Sequence, residues 1–331
     1  MLKKVINNLS DELLVLIRRR PEHPYTVSYL SKKLQTEPEM ITAAAKLLRV
    51  SGYRISIIKK DKVAFKSAPD LLLAAEITNK LATKFIGQNV HAYKSVQSTN
   101  ILAGQLADAR APEGTIIVSE LQTKGRGRLG RNWFSAEEKG IYISIVVYPN
   151  IDPAHAPGLS LLTAVSLADT ISTYDGLDVR LKWPNDCLIN GRKTAGILIE
   201  LSSELDHVHH AIIGVGININ HQRRDFPGDI RKTATSIRAE LKEKIHRVQL
   251  LQKFLKQFES DYLLFRKTGL KGLKKRIDKY SHLLGKKIKL NRKGSIYSGK
   301  AIDIDECGGL IVETKNGLKT FLAGEVTIVK K

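Results

Sequence analysis

Three glycines and three arginines interleave in Gly125-Arg126-Gly127-Arg128-Leu129-Gly130-Arg131, and a loop of that composition is built for an anion. Glycine lets backbone approach a ligand closely and take positive φ, while guanidinium groups are fixed cationic donors that match phosphate or carboxylate. Read literally, the segment also fits GxGxxG, the dinucleotide fingerprint, but that motif needs a helix opening right behind the glycines. Asn132-Trp133-Phe134-Ser135 follows instead, with charged residues and Gly140 next. The dinucleotide reading therefore falls, and a plain surface turn is the remaining alternative to an anion-binding loop.

A second candidate is Leu181-Lys182-Trp183-Pro184-Asn185-Asp186, followed after Asn190-Gly191 by Lys193-Thr194-Ala195-Gly196-Ile197-Leu198-Ile199-Glu200. A lysine ending an apolar strand is poorly solvated unless an anion or carboxylate meets it. Lys182 either grips a phosphoryl group or snorkels out of the sheet, and this segment alone leaves both open. Gln97-Ser98-Thr99-Asn100 opens a helix, where Ser98 or Thr99 would ordinarily serve only as an N-cap. Gly214-Val215-Gly216-Ile217-Asn218-Ile219-Asn220 is a strand whose glycines leave room for a planar ligand or a close backbone. No HExxH, GxSxG or Walker A motif and no cluster of His and Cys ligands occurs, so metalloprotease, serine hydrolase and P-loop chemistry have no support.

These residues need elements to hold them. Residues 10–49 read as three short helices, with apolar stripes at Leu13, Leu14, Leu16 and Ile17, at Tyr29, Leu30 and Leu34, and at Ile41, Leu47 and Leu48. Thr26 and Glu37-Pro38 are start signals, and Gly52 is a stop. Two alternating runs, 53–58 and 62–66, follow around Lys59-Lys60-Asp61, completing the order of a winged helix-turn-helix. A linker and an amphipathic helix are expected over 69–90. Strands are then expected over 115–121, 141–148, 179–183, 194–201 and 211–220, with helices over 101–110, 159–174 and 247–267. Several strands succeed one another directly, and Asn190-Gly191 is a two-residue hairpin turn, so the sheet is expected to be mainly antiparallel. From Leu284 on, short runs at 287–290, 297–304, 309–313 and 318–322 predict a small β-barrel. The fold class is thus α+β multidomain: 1–68 winged helix-turn-helix, 69–282 central mixed α/β domain, 283–331 C-terminal barrel.

With 331 residues, 42% of them hydrophobic, the chain can bury a substantial core. No run of 18 apolar residues and no secretory leader is seen, which predicts a soluble, unexported, cytoplasmic protein without membrane partners. Cys187 and Cys307 form no CxxC pair and read as packing residues. The net charge of +21 is uneven, with 18 Lys or Arg against 4 Asp or Glu over residues 241–300. Such a surface suits acidic partners such as nucleic acid, nucleotide phosphates or an acidic carrier, though a merely solvated basic face fits as well.

Taken in order, Ser98-Thr99-Asn100, Gln122 with the GRGRLGR loop, KWPND at 182–186, the KTAGILIE strand and GVGININ resemble the biotin protein ligases. With the winged helix in front, the chain is most similar to their bifunctional type, both ligase and biotin-operon repressor. The resemblance covers essentially the whole chain and implies a central fold akin to class II aminoacyl-tRNA synthetases and lipoate ligases, with an SH3-like C-terminal module. It implies that ATP activates biotin as biotinyl-5′-AMP, with Mg²⁺ accompanying the nucleotide, and that the biotinyl group passes to a lysine of the biotin carboxyl carrier protein of acetyl-CoA carboxylase. Ser98, Thr99, Asn100, Gln122, Gly125, Arg126, Gly127, Arg128, Lys182 and Gly196 would bind biotin. Arg126, Arg128, Arg131, Lys182 and Asn218 would hold ATP or the adenylate, Lys182 and Arg128 would be catalytic, and Asp186 is the candidate metal ligand. Operator DNA and a ligand-linked homodimer belong to the bifunctional type.

Lys32, Lys33, Thr42, Lys46, Lys59 and Lys60 are the candidate DNA contacts. The first turns of the third helix, Glu37 to Ala45, carry two acids and no base, so any operator recognition is not expected to run mainly through that helix. The rival readings are a ligase whose winged helix reads no operator, a lipoate ligase, and a ligand-sensing DNA-binding regulator without ligase activity. The intact arginine loop and Lys182 favour the enzyme, and GRGRLGR favours biotin.

Overall fold

The computed structural model describes residues 2–59, 61–204 and 207–329, the side chains of 2–5 and 7 excepted. Two compact units divide the chain at Leu71/Leu72. In the first, α1 (Leu2–Arg18), α2 (Val27–Leu34) and α3 (Pro38–Val50) accompany a three-stranded sheet of β1 (Tyr25–Thr26), β2 (Arg54–Ile58) and β3 (Lys62–Ser67) in the order β1-β3-β2. Thr26 caps α2 by accepting from Tyr29 N at 3.2 Å, Pro38 fills the first turn of α3, and Gly52 stops that helix at φ +93°. Leu13, Ile17, Leu30, Ile41 and Leu48 form its core. Tyr29 does not join them: the buried stripe of α2 runs through Val27 and Leu30, and Tyr29 stays 43% exposed, stacked on Tyr25.

The second unit begins with α4 (Ala74–Thr78), so the amphipathic helix expected across 69–90 is only one short turn; Pro69 and Gly87 bracket a mostly irregular segment. The sheet is then built from β4 (Val90–Val96), β5 (Ile116–Gln122), β6 (Gly140–Val147), β7 (Val179–Lys182), β8 (Asp186–Ile189), β9 (Arg192–Ser203) and β10 (Val208–Asn218). Its order is β4-β5-β6-β10-β9-β8-β7. Among the described residues β4 and β5 form the one parallel ladder between strands of this sheet, across α5 (Thr99–Asp108); its other strand-to-strand ladders are antiparallel. Asn190 and Gly191, both at positive φ, turn β8 into β9 as a two-residue hairpin.

The two faces of this sheet are unlike, and the difference positions the site. One is covered by α6 (Ala156–Ile171) and α8 (Arg247–Thr268), whose apolar residues pack with Ile116, Val118, Ile143, Ile145, Ile213 and Val215 in one large core. The other carries α5 over Ile117, Val146 and Ile212. On the rest of that face the same parity of strand residues includes several small or polar positions, Ser144, Gly214, Gly216, Gly196 and Glu200, beside Tyr142 and Leu198. Half of the face is roofed by a helix and half is left for something else.

After α7 (Ile237–Leu241), α8 and α9 (Lys274–Tyr280), the chain forms β11 (Lys287–Arg292), β12 (Ser295–Ile304), β13 (Leu310–Thr314), β14 (Gly317–Phe321) and β15 (Glu325–Ile328). Their order is β14-β13-β12-β11-β15, with no ladder joining β14 to β15, so the described residues form a five-stranded sheet open between those two strands where a small β-barrel is expected. Ile288, Leu290, Leu310, Val312 and Phe321 continue the core of the seven-stranded sheet. Among the described residues, no helix is long and apolar enough to cross a membrane. Cys187 is fully buried with its thiol pushed up to about 12, as a packing residue would be.

Candidate active site

The half-face that α5 leaves open holds a small cavity of about 50 Å³ walled by hydrogen-bonded polar groups. Ser98 occupies the N-cap position of α5 but makes no capping bond with its side chain. Thr99 donates from N and Oγ1 to Gln122 Oε1 at 2.9 and 3.1 Å. Ser144 Oγ lies 2.7 Å from Thr99 Oγ1 and 2.6 Å from Asn100 Oδ1. Asn100 Nδ2 donates to Glu200 Oε2 at 2.7 Å, and Glu200 pairs with Arg126 at 2.9 Å. Strand ends, a helix start and the arginine loop are thereby locked into one network, and Ser98, Thr99 and Asn100 are each less than a tenth exposed. A network of this kind keeps donors and acceptors fixed for a polar ligand, and rejects a molecule unable to pair with them.

Glycines form the floor. A Cβ on Gly216 or Gly214 would collide with Trp133 or with Asn100, and one on Gly196 would lie 2.8 Å from Trp133. The Trp133 ring therefore rests directly on backbone. Its Nε1 is buried without a partner among the described residues, and Lys193 Nζ stands 5.4 Å from its centroid. Gly125 serves differently: a Cβ there would lie 2.6 Å from Trp133 O, so it supports the loop from behind and does not line the cavity. Of the three loop glycines only Gly130 takes positive φ; Leu129 shares that conformation at the exposed tip.

A larger cleft of about 370 Å³ adjoins the first. Lys182, Asp186, Asn218, Arg131, Phe134 and Phe226 line it, and Gly324 to Thr327 close it from the C-terminal sheet, where Glu325 pairs with Arg131. Lys182 makes no ion pair among the described residues, whereas Asp186 is held by Lys193 at 2.7 Å. Asn218 Nδ2 donates to Thr235 O at 3.0 Å. Gly127, Arg128, Trp133, Asn185 and Lys193 line both cavities. Arg128 Nη1 donates to Asn185 Oδ1 at 2.8 Å; burial draws its guanidinium below the ordinary range, while Asp186 and Glu325 oppose that pull. Beside the cleft His221 stacks on Phe226 at 5.1 Å, and burial pulls it to about 4, so the imidazole is neutral at neutral pH.

Residues 92–218 match the Biotin/lipoate A/B protein ligase family, and residues 283–329 match the Biotin protein ligase C terminal domain. The Bifunctional ligase/repressor BirA of Bacillus subtilis is 36% identical over 281 residues, 85% of this chain and 86% of that protein. The chain belongs to the biotin protein ligases. The Biotin–[acetyl-CoA-carboxylase] ligase of Mycobacterium tuberculosis is 28% identical, covering 69% of this ligase and 85% of its own length. The biotin protein ligase from Aquifex aeolicus, solved in complex with biotin and ATP, superposes with a TM-score of 0.63 at 31% identity, over 74% of this chain and all of that one.

Within the ligase fold the residues singled out from sequence gather around the two cavities, Gly125 excepted. Ser98, Thr99, Asn100, Gln122, Arg126 and Gly196 line the smaller, Arg131, Lys182, Asp186 and Asn218 the larger, and Gly127 and Arg128 both. Sequence reasoning did not single out Ser144, and it quoted Trp133, Asn185, Lys193 and Glu200 only within their segments, without a role of their own. Lys193 had a readable signal, a cation one residue beyond the hairpin end in a strand that soon turns to glycine. The candidate DNA contacts lie in the first unit: Lys32, Lys33, Lys46 and Lys59 are exposed, Thr42 reaches back to Pro38 O at 3.4 Å, and Lys60 lies outside the described residues.

Proposed function

We propose that the smaller cavity takes the fused rings of biotin and the larger takes ATP, so that the biotin carboxylate meets the α-phosphate where the two join. The observation that carries this reading is the set of residues common to both cavities, above all Arg128 and Lys193. Two cations at that junction, with Lys182 on the nucleotide side, would offset the charge that gathers as carboxylate oxygen attacks phosphorus and pyrophosphate leaves. The Thr99–Gln122–Ser144–Asn100 network would bond the ureido group, and the Trp133 ring would cover the chain of biotin. In the second step a lysine amine of a carrier domain attacks the acyl carbon of the mixed anhydride and AMP departs. The name of the mycobacterial relative supports the carboxyl carrier protein of acetyl-CoA carboxylase as that acceptor.

The donor set does not make a cage for Mg²⁺. The two carboxylates of the cleft, Asp186 and Glu325, are each engaged by a cation, and no group of three His, Cys, Asp or Glu is gathered among the described residues. A metal ion here would be carried on the phosphates of ATP, and no step is assigned to it or to Asp186 as its ligand. Pyrophosphate exchange with purified protein tests the reading. Exchange that depends on biotin is expected, and exchange supported by lipoate but not by biotin would overturn it.

We read residues 1–68 as a winged helix-turn-helix, 69–282 as the catalytic domain and 283–331 as an SH3-like module left open at its edges. The first unit would grip a duplex through Lys32, Lys33, Lys46 and Lys59 on phosphates, with little base readout from an α3 that opens Glu37-Pro38-Glu39. A ligand-linked homodimer belongs to that same repressor reading. Biotin- and ATP-loaded protein, titrated with DNA from upstream of its own biotin genes, is expected to prefer it only modestly over a scrambled duplex at near-physiological salt. A preference of about a thousandfold or more, the low end for specific binders, would show a true operator reader.

A further inference from the structure

A third cavity, of about 320 Å³, is lined by the segment that follows β10 and by α7, and four of its lining residues are Arg or Lys against one acid. Arg192 comes from the start of β9, Arg223 from the turn after β10, and Arg238, Glu240 and Lys242 from α7 and its end. The one acid among them is fully engaged: Asn190 Nδ2 at 2.7 Å, Arg192 Nη2 at 2.5 Å and Thr235 Oγ1 all donate to Glu240. Arg192 is thereby neutralised. Arg223, Arg238 and Lys242 have no carboxylate within 4 Å among the described residues; the Lys242 ammonium instead donates to Ala239 O at 2.7 Å. Asp225, two residues from Arg223, is turned away, paired with Lys139 at 2.7 Å and accepting from Gln222 N.

Three cations lining one concavity without counter-charge of their own repel one another, and an anion entering it removes that repulsion. A lone carboxylate would neutralise only one of them. A ligand bearing several charges on tetrahedral oxygens matches both the charge and the forked geometry of two guanidinium groups. We infer that this cavity is a binding site for a compact polyphosphate anion of the di- or triphosphate class. Phe226 and Ala234 line this cavity on one side and the larger cleft on the other. An anion here would therefore pin the segment that walls the cleft.

Isothermal titration of the full-length protein with inorganic tripolyphosphate, in the absence of biotin, tests the site. Saturable binding is expected, weakened about tenfold or more by Arg238→Gln and again by Arg223→Gln, with circular dichroism verifying the fold of each variant. Repeating the titration on ATP-loaded protein separates two sources of the anion. Undiminished binding means a free polyphosphate, whereas competition that Arg238→Gln relieves means that the cavity receives the phosphates of the nucleotide itself. No measurable binding, or binding that both arginine variants leave unchanged, overturns the inference. Neither result bears on the ligase reading, because the titration requires no catalysis.

Discussion

Lys182→Ala is expected to lower biotin-dependent pyrophosphate exchange by about 10²–10³-fold, the loss typical when one preorganised charge-stabilising group is removed from a reacting centre. The side chain rises from the end of β7 into the larger cleft and has no carboxylate to neutralise it among the described residues. Its charge is therefore free to act on an arriving phosphate. Removing it leaves no buried acid unpaired, so the melting temperature should scarcely change, and the loss should fall on the chemical step more than on biotin binding. Lys193→Ala makes the informative comparison. Lys193 lines both cavities, stands against Trp133 and neutralises Asp186 at 2.7 Å. Its loss should weaken biotin binding and exchange together. Near-normal exchange by a folded Lys182→Ala protein would move the catalytic charge to Lys193 and Arg128.

That comparison marks how far the sequence was readable. The GRGRLGR loop, KWPND and the Asn190-Gly191 turn are local signals, because composition and spacing within a few residues dictate what they do. Every residue assigned from them except Gly125 comes to line a cavity, and Gly125 lies just behind one. What the sequence did not disclose is made by pairing across the fold. Ser144 lies in an apolar run on β6 and reads as a tolerated small residue until α5 places Asn100 and Thr99 over it. Glu200 reads as the polar end of a strand, yet it joins Asn100 to Arg126. Strand β4, with Lys94 and Ser95 exposed among its residues, has no clean alternation because it is an edge strand paired only with β5. The small barrel expected at the C-terminus depends on pairing of the same kind: alternation and glycines define the strands, but whether β14 meets β15 is a matter of tertiary register.

Arg247→Ala is expected to destabilise the second unit by about 3–5 kcal/mol, the cost typical of breaking a buried ion pair from one side. Arg247 is completely buried at the start of α8, with Nη1 donating to Glu120 Oε2 at 2.5 Å and to Gly140 O at 3.1 Å. Glu120, on β5, also accepts from Leu72 N at 2.6 Å, so one carboxylate joins the entry of the unit, the strand next to the sheet edge and the long helix. Removing the guanidinium strands that carboxylate in a low-dielectric interior and opens a cavity beside Tyr142. For a unit of this size a loss of that order lowers the melting temperature by roughly 6–20 °C. The double variant Arg247→Met with Glu120→Leu separates the causes. With both charges gone, the desolvation cost goes too, and apolar side chains of similar length can refill the space, so stability should recover well above that of Arg247→Ala. Leu72 N then loses its acceptor, which sets a ceiling on the recovery. If calorimetry finds Arg247→Ala within about 1 kcal/mol of the parent, the pair is not what holds α8 to β5. If the double variant is as unstable as the single one, the cost lies in lost packing and in Leu72 N and not in the stranded charge.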